Sequence, residues 1–138
     1  MTRRPFFIPV VAATFAVLSG GMALAAEPID GQTFDEYTRG KTLFYGQNGE
    51  KYGAEIYMDN RRVKWSFLDG QCKEGFWYEE ADQICFVYED NPTPQCWAFT
   101  KENGRLSARF ENLPGATQLY EAEEVNEEMI CLGPDVGV

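Results

Sequence analysis

The sequence predicts an all-β domain, a small antiparallel eight-stranded meander barrel with a short N-terminal helix; a β-sandwich is the alternative arrangement. Three observations predict it. Short runs rich in aromatic and β-branched residues recur between Thr42 and Ala122 at a spacing of about ten residues. Turn-forming residues close each run, and no segment between them has the length or the 3.6-residue period of a crossover helix. Tight turns between consecutive strands favour a meander, and closing the sheet removes edge strands that would otherwise pair with neighbours.

The elements follow in order. Thr33-Phe34-Asp35-Glu36 has the form of a capping box, with Thr33 as N-cap and Glu36 three residues on. Gly40 can end the helix in the left-handed conformation, so a helix of two turns is expected over Phe34–Arg39, with Phe34 and Tyr37 facing inward. The first strand is expected over Thr42–Tyr45, before the Asn48-Gly49 turn. Tyr52–Met58 and Arg62–Phe67 read as a hairpin joined through Asp59-Asn60. In the second of these, apolar and polar residues alternate strictly, the mark of a strand with one wet face. Gly75–Glu79 and Ile84–Tyr88 form a further hairpin about Ala81-Asp82. Gln95–Thr100 and Leu106–Phe110 meet at Asn103-Gly104, a strong hairpin signal. Thr117–Ala122 completes the set after Pro114-Gly115. The candidate core is aromatic: Phe44, Trp65, Phe67, Trp77, Phe86, Trp97, Phe99 and Phe110.

The four cysteines, Cys72, Cys85, Cys96 and Cys131, allow three pairings. An even count in a small exported domain reads as two disulfides, and the absence of a close C-x-x-C pair argues against zinc and against a redox site. Cys85 and Cys96 flank the expected loop Glu89–Pro94. If that loop closes a hairpin, they face each other and Ile84 falls opposite Trp97. Cys72 would then join Cys131 and tie the C-terminal segment to the sheet.

The N-terminus reads as an export signal over residues 1–25. Arg3 and Arg4 precede an apolar run from Pro5 to Leu18, and Ala23-Leu24-Ala25 supplies the small-x-small cleavage pattern. The run is shorter than the ~20 residues of a membrane span, so no membrane insertion is expected after processing. Thr2–Phe7 also has the shape of a twin-arginine motif, which leaves two routes to the periplasm, Sec or twin-arginine. A single domain is expected over residues 26–138. Arg3 and Arg4 leave with the signal and no acidic residue does. Ten basic residues then face 22 acidic ones, a net charge near −12. Such a surface repels nucleic acid and attracts a basic partner.

Histidine is absent, and only Ser66 and Ser107 remain among serines after residue 25, so no Ser-His-Asp or Cys-His constellation can be assembled. No pattern points to a cofactor or a calcium loop. The carboxylates Glu79, Glu80, Glu89 and Asp90 are the candidates for acid/base work on a sugar or cell-wall substrate. Tyr45, Tyr57, Tyr78 and Tyr88 are the candidates for contact with a small apolar ligand or a partner, because tyrosine joins an apolar body to a polar tip.

The stretch Gly40–Gly46, Trp65, Gly75-Phe76-Trp77, Cys85-Phe86-Val87-Tyr88 and Cys96-Trp97 resembles a family of small periplasmic domains of unknown function. In that family a G-K-T opening strand precedes a G-x-W, C-x-x-Y and Cys core. The resemblance covers Gly40 to Phe99. It implies a lipocalin-like small barrel with a structural cysteine pair, and no catalytic residue. Gly75-Phe76-Trp77 also has the G-x-W form of the first lipocalin strand but lies mid-chain, where a strand-entry glycine and a core tryptophan explain it. The function expected is a non-catalytic periplasmic binding module, holding a basic periplasmic protein on its acidic surface or a small ligand in the barrel. Inhibition of a cationic cell-wall hydrolase is one form of this. A carboxylate-dependent hydrolase and a structural envelope protein without ligand are the alternatives.

Overall fold

Alternation of side chains along each strand, taken with the cross-strand register, decides what the sheet encloses. The computed structural model describes residues 26–113, 115, 117–123 and 127–132, with isolated positions before residue 26. The export signal expected over residues 1–25 therefore lies, apart from those positions, outside the described residues. The elements are α1 (Gly31–Thr38), β1 (Thr42–Gln47), β2 (Glu50–Tyr57), β3 (Arg62–Ser66), β4 (Lys73–Glu80), β5 (Gln83–Tyr88), β6 (Asn91–Glu102), β7 (Arg105–Phe110) and β8 (Gln118–Glu121), with a 3₁₀ turn at Asp59–Arg61 between β2 and β3. Each strand pairs with the next, and β1 closes on β8, so the sheet is a closed antiparallel barrel of eight strands. Among the described residues no helix is long and apolar enough to cross a membrane.

The helix begins earlier than the capping-box reading places it. Asp30, not Thr33, is the N-cap: its carboxylate accepts the Thr33 N–H at 2.8 Å, which holds the Asp30 carboxyl below its usual range. Glu36 accepts from the Gln32 side chain at 3.0 Å instead of returning to a cap. The helix lies across one end of the barrel and drives Phe34, fully buried, into it. The Phe34 ring meets Trp77 (5.1 Å), Tyr57 (5.6 Å) and Phe99 (4.6 Å). Edge-on contacts of this kind add to the large apolar area each ring removes from water. Glu79 accepts the Gly31 N–H and pins the helix start to β4.

Register fixes the inward set. Leu43 pairs with Glu55, Glu55 with Trp65, and Trp65 with Lys73. Trp77 pairs with Phe86, Phe99 with Ala108, and Ala108 with Leu119. Two expectations for the core are corrected here. Phe44 is turned to the outer face while its neighbours Leu43 and Tyr45 are buried. Phe67 has the inward parity but stands past the end of β3 at the open end, 52% exposed. Trp97 and Phe110 are half-buried there and pack against each other at 4.9 Å.

Both disulfides join the cysteines that the hairpin reading pairs: Cys85 with Cys96, and Cys72 with Cys131. Cys85 lies directly opposite Cys96, and Ile84 opposite Trp97. The expected loop Glu89–Pro94 is instead a two-residue turn, Glu89-Asp90, because β6 starts at Asn91 despite Pro92 and Pro94. The physical reason is parity. The Cys96 N–H points away from β5 and is met by the Asn112 side chain at 2.8 Å, beyond the end of β7. Pro94 shares that parity, so the N–H it lacks falls where no strand remains to receive it, and Pro92 lies where the β5–β6 register is irregular and the Thr93 N–H turns to the Asn91 side chain. Bonded cysteines indicate an oxidising, extracytoplasmic compartment.

Candidate functional site

With α1 filling one end, the barrel opens at the other. There the interior narrows to a free space of about 50 Å³, lined by residues that include Tyr45, Glu55, Tyr57, Trp65, Lys73 and Tyr88. That is room for little more than a water molecule or one small head group. Tyr52, Phe67 and Trp97 form the rim. The Tyr52, Trp65 and Phe67 rings contact one another at 5.4–5.9 Å.

Glu55 is the unusual member. It is 2% exposed, on the inner face of β2, with its carboxylate among three tyrosines. The Tyr88 hydroxyl lies 3.2 and 3.1 Å from its two oxygens. One hydroxyl proton cannot serve both oxygens at once, and a carboxylate offers about four acceptor positions. Among the described residues no cation stands within ion-pair distance of Glu55. Burial raises its carboxyl well above the ordinary carboxylate range, against the smaller opposing pulls of the Tyr88 hydrogen bond and the Lys73 charge. The Tyr45 and Tyr57 hydroxyls are bonded to each other at 2.8 Å. Burial raises both, and Tyr88 as well, so all three remain neutral phenols.

Local sequence explains how this pocket is made. Gly75 is not a strand-entry residue. It is the third residue of β4 and faces inward opposite Tyr88. A Cβ there would stand 2.4 Å from the Val87 carbonyl oxygen and 2.8 Å from the Tyr88 ring. Its absence lets that ring lie close against β4, with the hydroxyl aimed at Glu55. Lys73, two residues earlier on the same face, places its ammonium 5.1 Å from the Tyr88 ring centre, 5.4 Å from the Phe67 ring centre and 3.4 Å from Asp90.

Of the tyrosines singled out on the sequence, Tyr45, Tyr57 and Tyr88 converge on this space. Tyr78 does not: it pairs with Cys85 on the outer face, because its parity on β4 is opposite to that of Trp77. The four carboxylates weighed for catalysis are not brought together. Glu79 and Glu80 end β4 at the closed end, and Glu79 is taken up by the helix N–H. Glu89 and Asp90 form the turn at the open end, where Glu89 accepts the Glu74 N–H at 3.1 Å and Asp90 pairs with Lys73. Sequence reasoning missed Glu55 and Lys73. A signal for Glu55 existed, since it shares strand parity with Tyr57. For Lys73 only the register could have supplied it.

A second concavity lies outside the barrel, along the seam of β1 and β8. It is an open groove of about 1000 Å³, with Phe44, Ile56 and Met129 beside Glu121, Glu123, Glu127 and Glu128. Tyr37 donates to Glu121 at 2.7 Å near its edge, and burial together with that carboxylate pushes the phenol up to about 12. Among the described residues no three acidic or cysteine side chains gather as a metal-ligand set. Comparison with family models, with curated proteins and with solved structures finds no match to the chain.

Proposed function

We propose that the protein is a non-catalytic binding module of the periplasm, exported by the Sec or twin-arginine route, whose acidic exterior docks a basic protein. One observation carries this reading. Every lysine and arginine after residue 25 is already engaged within the chain. Seven pair with carboxylates: Arg39, Lys51, Arg62, Lys64, Lys73, Arg105 and Arg109. The other three lie over aromatic rings, Lys41 and Lys101 on Tyr37 and Arg61 on Trp77. The surplus charge offered to a partner is therefore negative, and complementary charge governs partner choice and encounter rate more than raw affinity. The groove at the β1–β8 seam adds an apolar strip beside Glu121 and Glu128, with Glu123 and Glu127 held by Arg105 and Lys51, which suits a face of mixed basic and apolar side chains.

The interior favours this over an enclosed apolar ligand, because about 50 Å³ is far below the several hundred Å³ of a small-molecule pocket. A hydrolase acting through Glu79, Glu80, Glu89 and Asp90 is disfavoured by their division between the two ends of the barrel. The weak resemblance to small periplasmic lipocalin-like domains is consistent with the reading and adds no residue to it.

Calorimetric titration against two cationic chains, poly-lysine and a c-type lysozyme, tests the proposal. Binding is expected at low salt, with affinity falling steeply between about 20 and about 150 mM salt. Poly-glutamate should not bind. Absence of binding to both cationic chains at low salt contradicts the reading and favours a structural envelope protein.

A further inference from the structure

Going beyond the docking of a basic protein, we propose that the open mouth of the barrel is a site for a primary ammonium group, with Glu55 as its counter-ion and Trp65, Phe67 and Tyr88 as its walls. The chain itself shows the chemistry. The Lys73 ammonium already rests against the Phe67 and Tyr88 rings, at 5.4 and 5.1 Å from their centres, within the range where a ring face attracts a cation. It is drawn outward to Asp90 at 3.4 Å, and so leaves the buried carboxylate of Glu55 without a paired cation. The free space beside Glu55, about 50 Å³, accepts an ammonium head and excludes the body of a larger molecule. The ligand therefore enters by its charged end and keeps its chain at the aromatic rim of Tyr52 and Trp97. Two sources share this head group: a free alkylamine, and a lysine side chain on a protein.

Seating a cation there favours the ionised form of Glu55, which burial otherwise opposes. Binding is thus coupled to proton release, and affinity rises with pH. The titratable groups that line the space with Glu55 are Tyr45 from β1, Tyr52 and Tyr57 from β2, Lys73 from β4 and Tyr88 from β5. The four phenols are raised by burial and stay neutral as Glu55 titrates.

The test follows tryptophan fluorescence of the purified exported protein during titration with n-butylammonium chloride, with n-butanol as the neutral control. Two variants accompany it, Glu55→Gln and Lys73→Met, each checked for native circular dichroism. Saturable binding of n-butylammonium and none of n-butanol is expected. Glu55→Gln should weaken it by about tenfold or more, and Lys73→Met, which removes the competing ammonium, should tighten it several-fold. Equal affinities of wild type and Glu55→Gln, equal binding of n-butanol, or no saturable binding even to Lys73→Met overturns the proposal. Repeating the lysozyme titration with Glu55→Gln separates the sources. A parallel loss assigns the site to a lysine side chain, and an unchanged lysozyme affinity beside a lost n-butylammonium affinity assigns it to a free amine. Failure here is distinct from failure of the docking reading: lysozyme can bind an exterior whose mouth takes no ammonium, and the mouth can take n-butylammonium while lysozyme does not bind.

Discussion

Glu55 shows how one side chain can oppose the fold that encloses it. Its carboxyl is raised in the folded protein above the ordinary value of 4.5, chiefly by burial. Between that value and its folded value the native state holds a proton that the unfolded chain has released. Stability therefore falls as pH rises through this window. Among the described residues Lys73 is the cation that lowers the Glu55 carboxyl, but more weakly than burial raises it. Replacing Glu55 with Gln keeps the shape and removes the titration. Denaturant unfolding of both proteins from about pH 4.5 to 8 checks this. The stability of the wild type relative to Glu55→Gln is expected to decline steadily with rising pH. A constant difference would show that Glu55 does not titrate within its pocket. The same residue marks the limit of sequence reading at this scale. Aromatic residues draw the eye to an interior, and a glutamate within a strand reads as a wet-face residue until its parity is tied to Tyr57 and Trp65 by register.

At the scale of elements, strict alternation in β3 and apolar runs bounded by turn signals made β2, β3, β5 and β7 legible to within a residue or two, and the Asn48-Gly49 and Asn103-Gly104 turns fell where the sequence places them. The residues at Asn48, Gly49, Asn103 and Gly104 all have positive φ, as such two-residue turns require. What escaped was the phase of β1, where Leu43, Phe44 and Tyr45 are all apolar and only pairing with β2 decides which faces in. The start of β6 escaped because two prolines signal a loop unless the neighbouring strand is known to have ended. The helix start escaped because Asp30 and Thr33 are both competent N-caps. The helix earns its place through one side chain. Phe34→Ala should leave a cavity among Trp77, Tyr57, Phe86 and Phe99 and cost about 3–5 kcal/mol, read from urea unfolding midpoints. A loss below about 1 kcal/mol would mean that the barrel end closes without the helix.

For the whole molecule, eight short strands, one plugged end and two covalent ties act together. The Cys72–Cys131 bridge closes a segment of 59 residues, and Cys85–Cys96 closes one of 11. On chain-entropy grounds the first stabilises by about 4 kcal/mol and the second by about 3 kcal/mol. Replacing Cys72 and Cys131 together with Ala should therefore lower thermal stability more than replacing Cys85 and Cys96, as measured by calorimetry. The reverse order would show that the C-terminal segment is held by contacts other than its sulfurs. Net charge belongs to this scale too. It was readable in the composition, whereas the engagement of every cation after residue 25 was not, because those pairings depend on which side chains the barrel brings together. The direct measure of the resulting anionic field is the association rate constant with a c-type lysozyme as a function of ionic strength. The rate is expected to fall about tenfold or more between about 10 and about 150 mM salt, with little change in dissociation. A rate indifferent to salt, or no association at all, would contradict a charge-steered binding module.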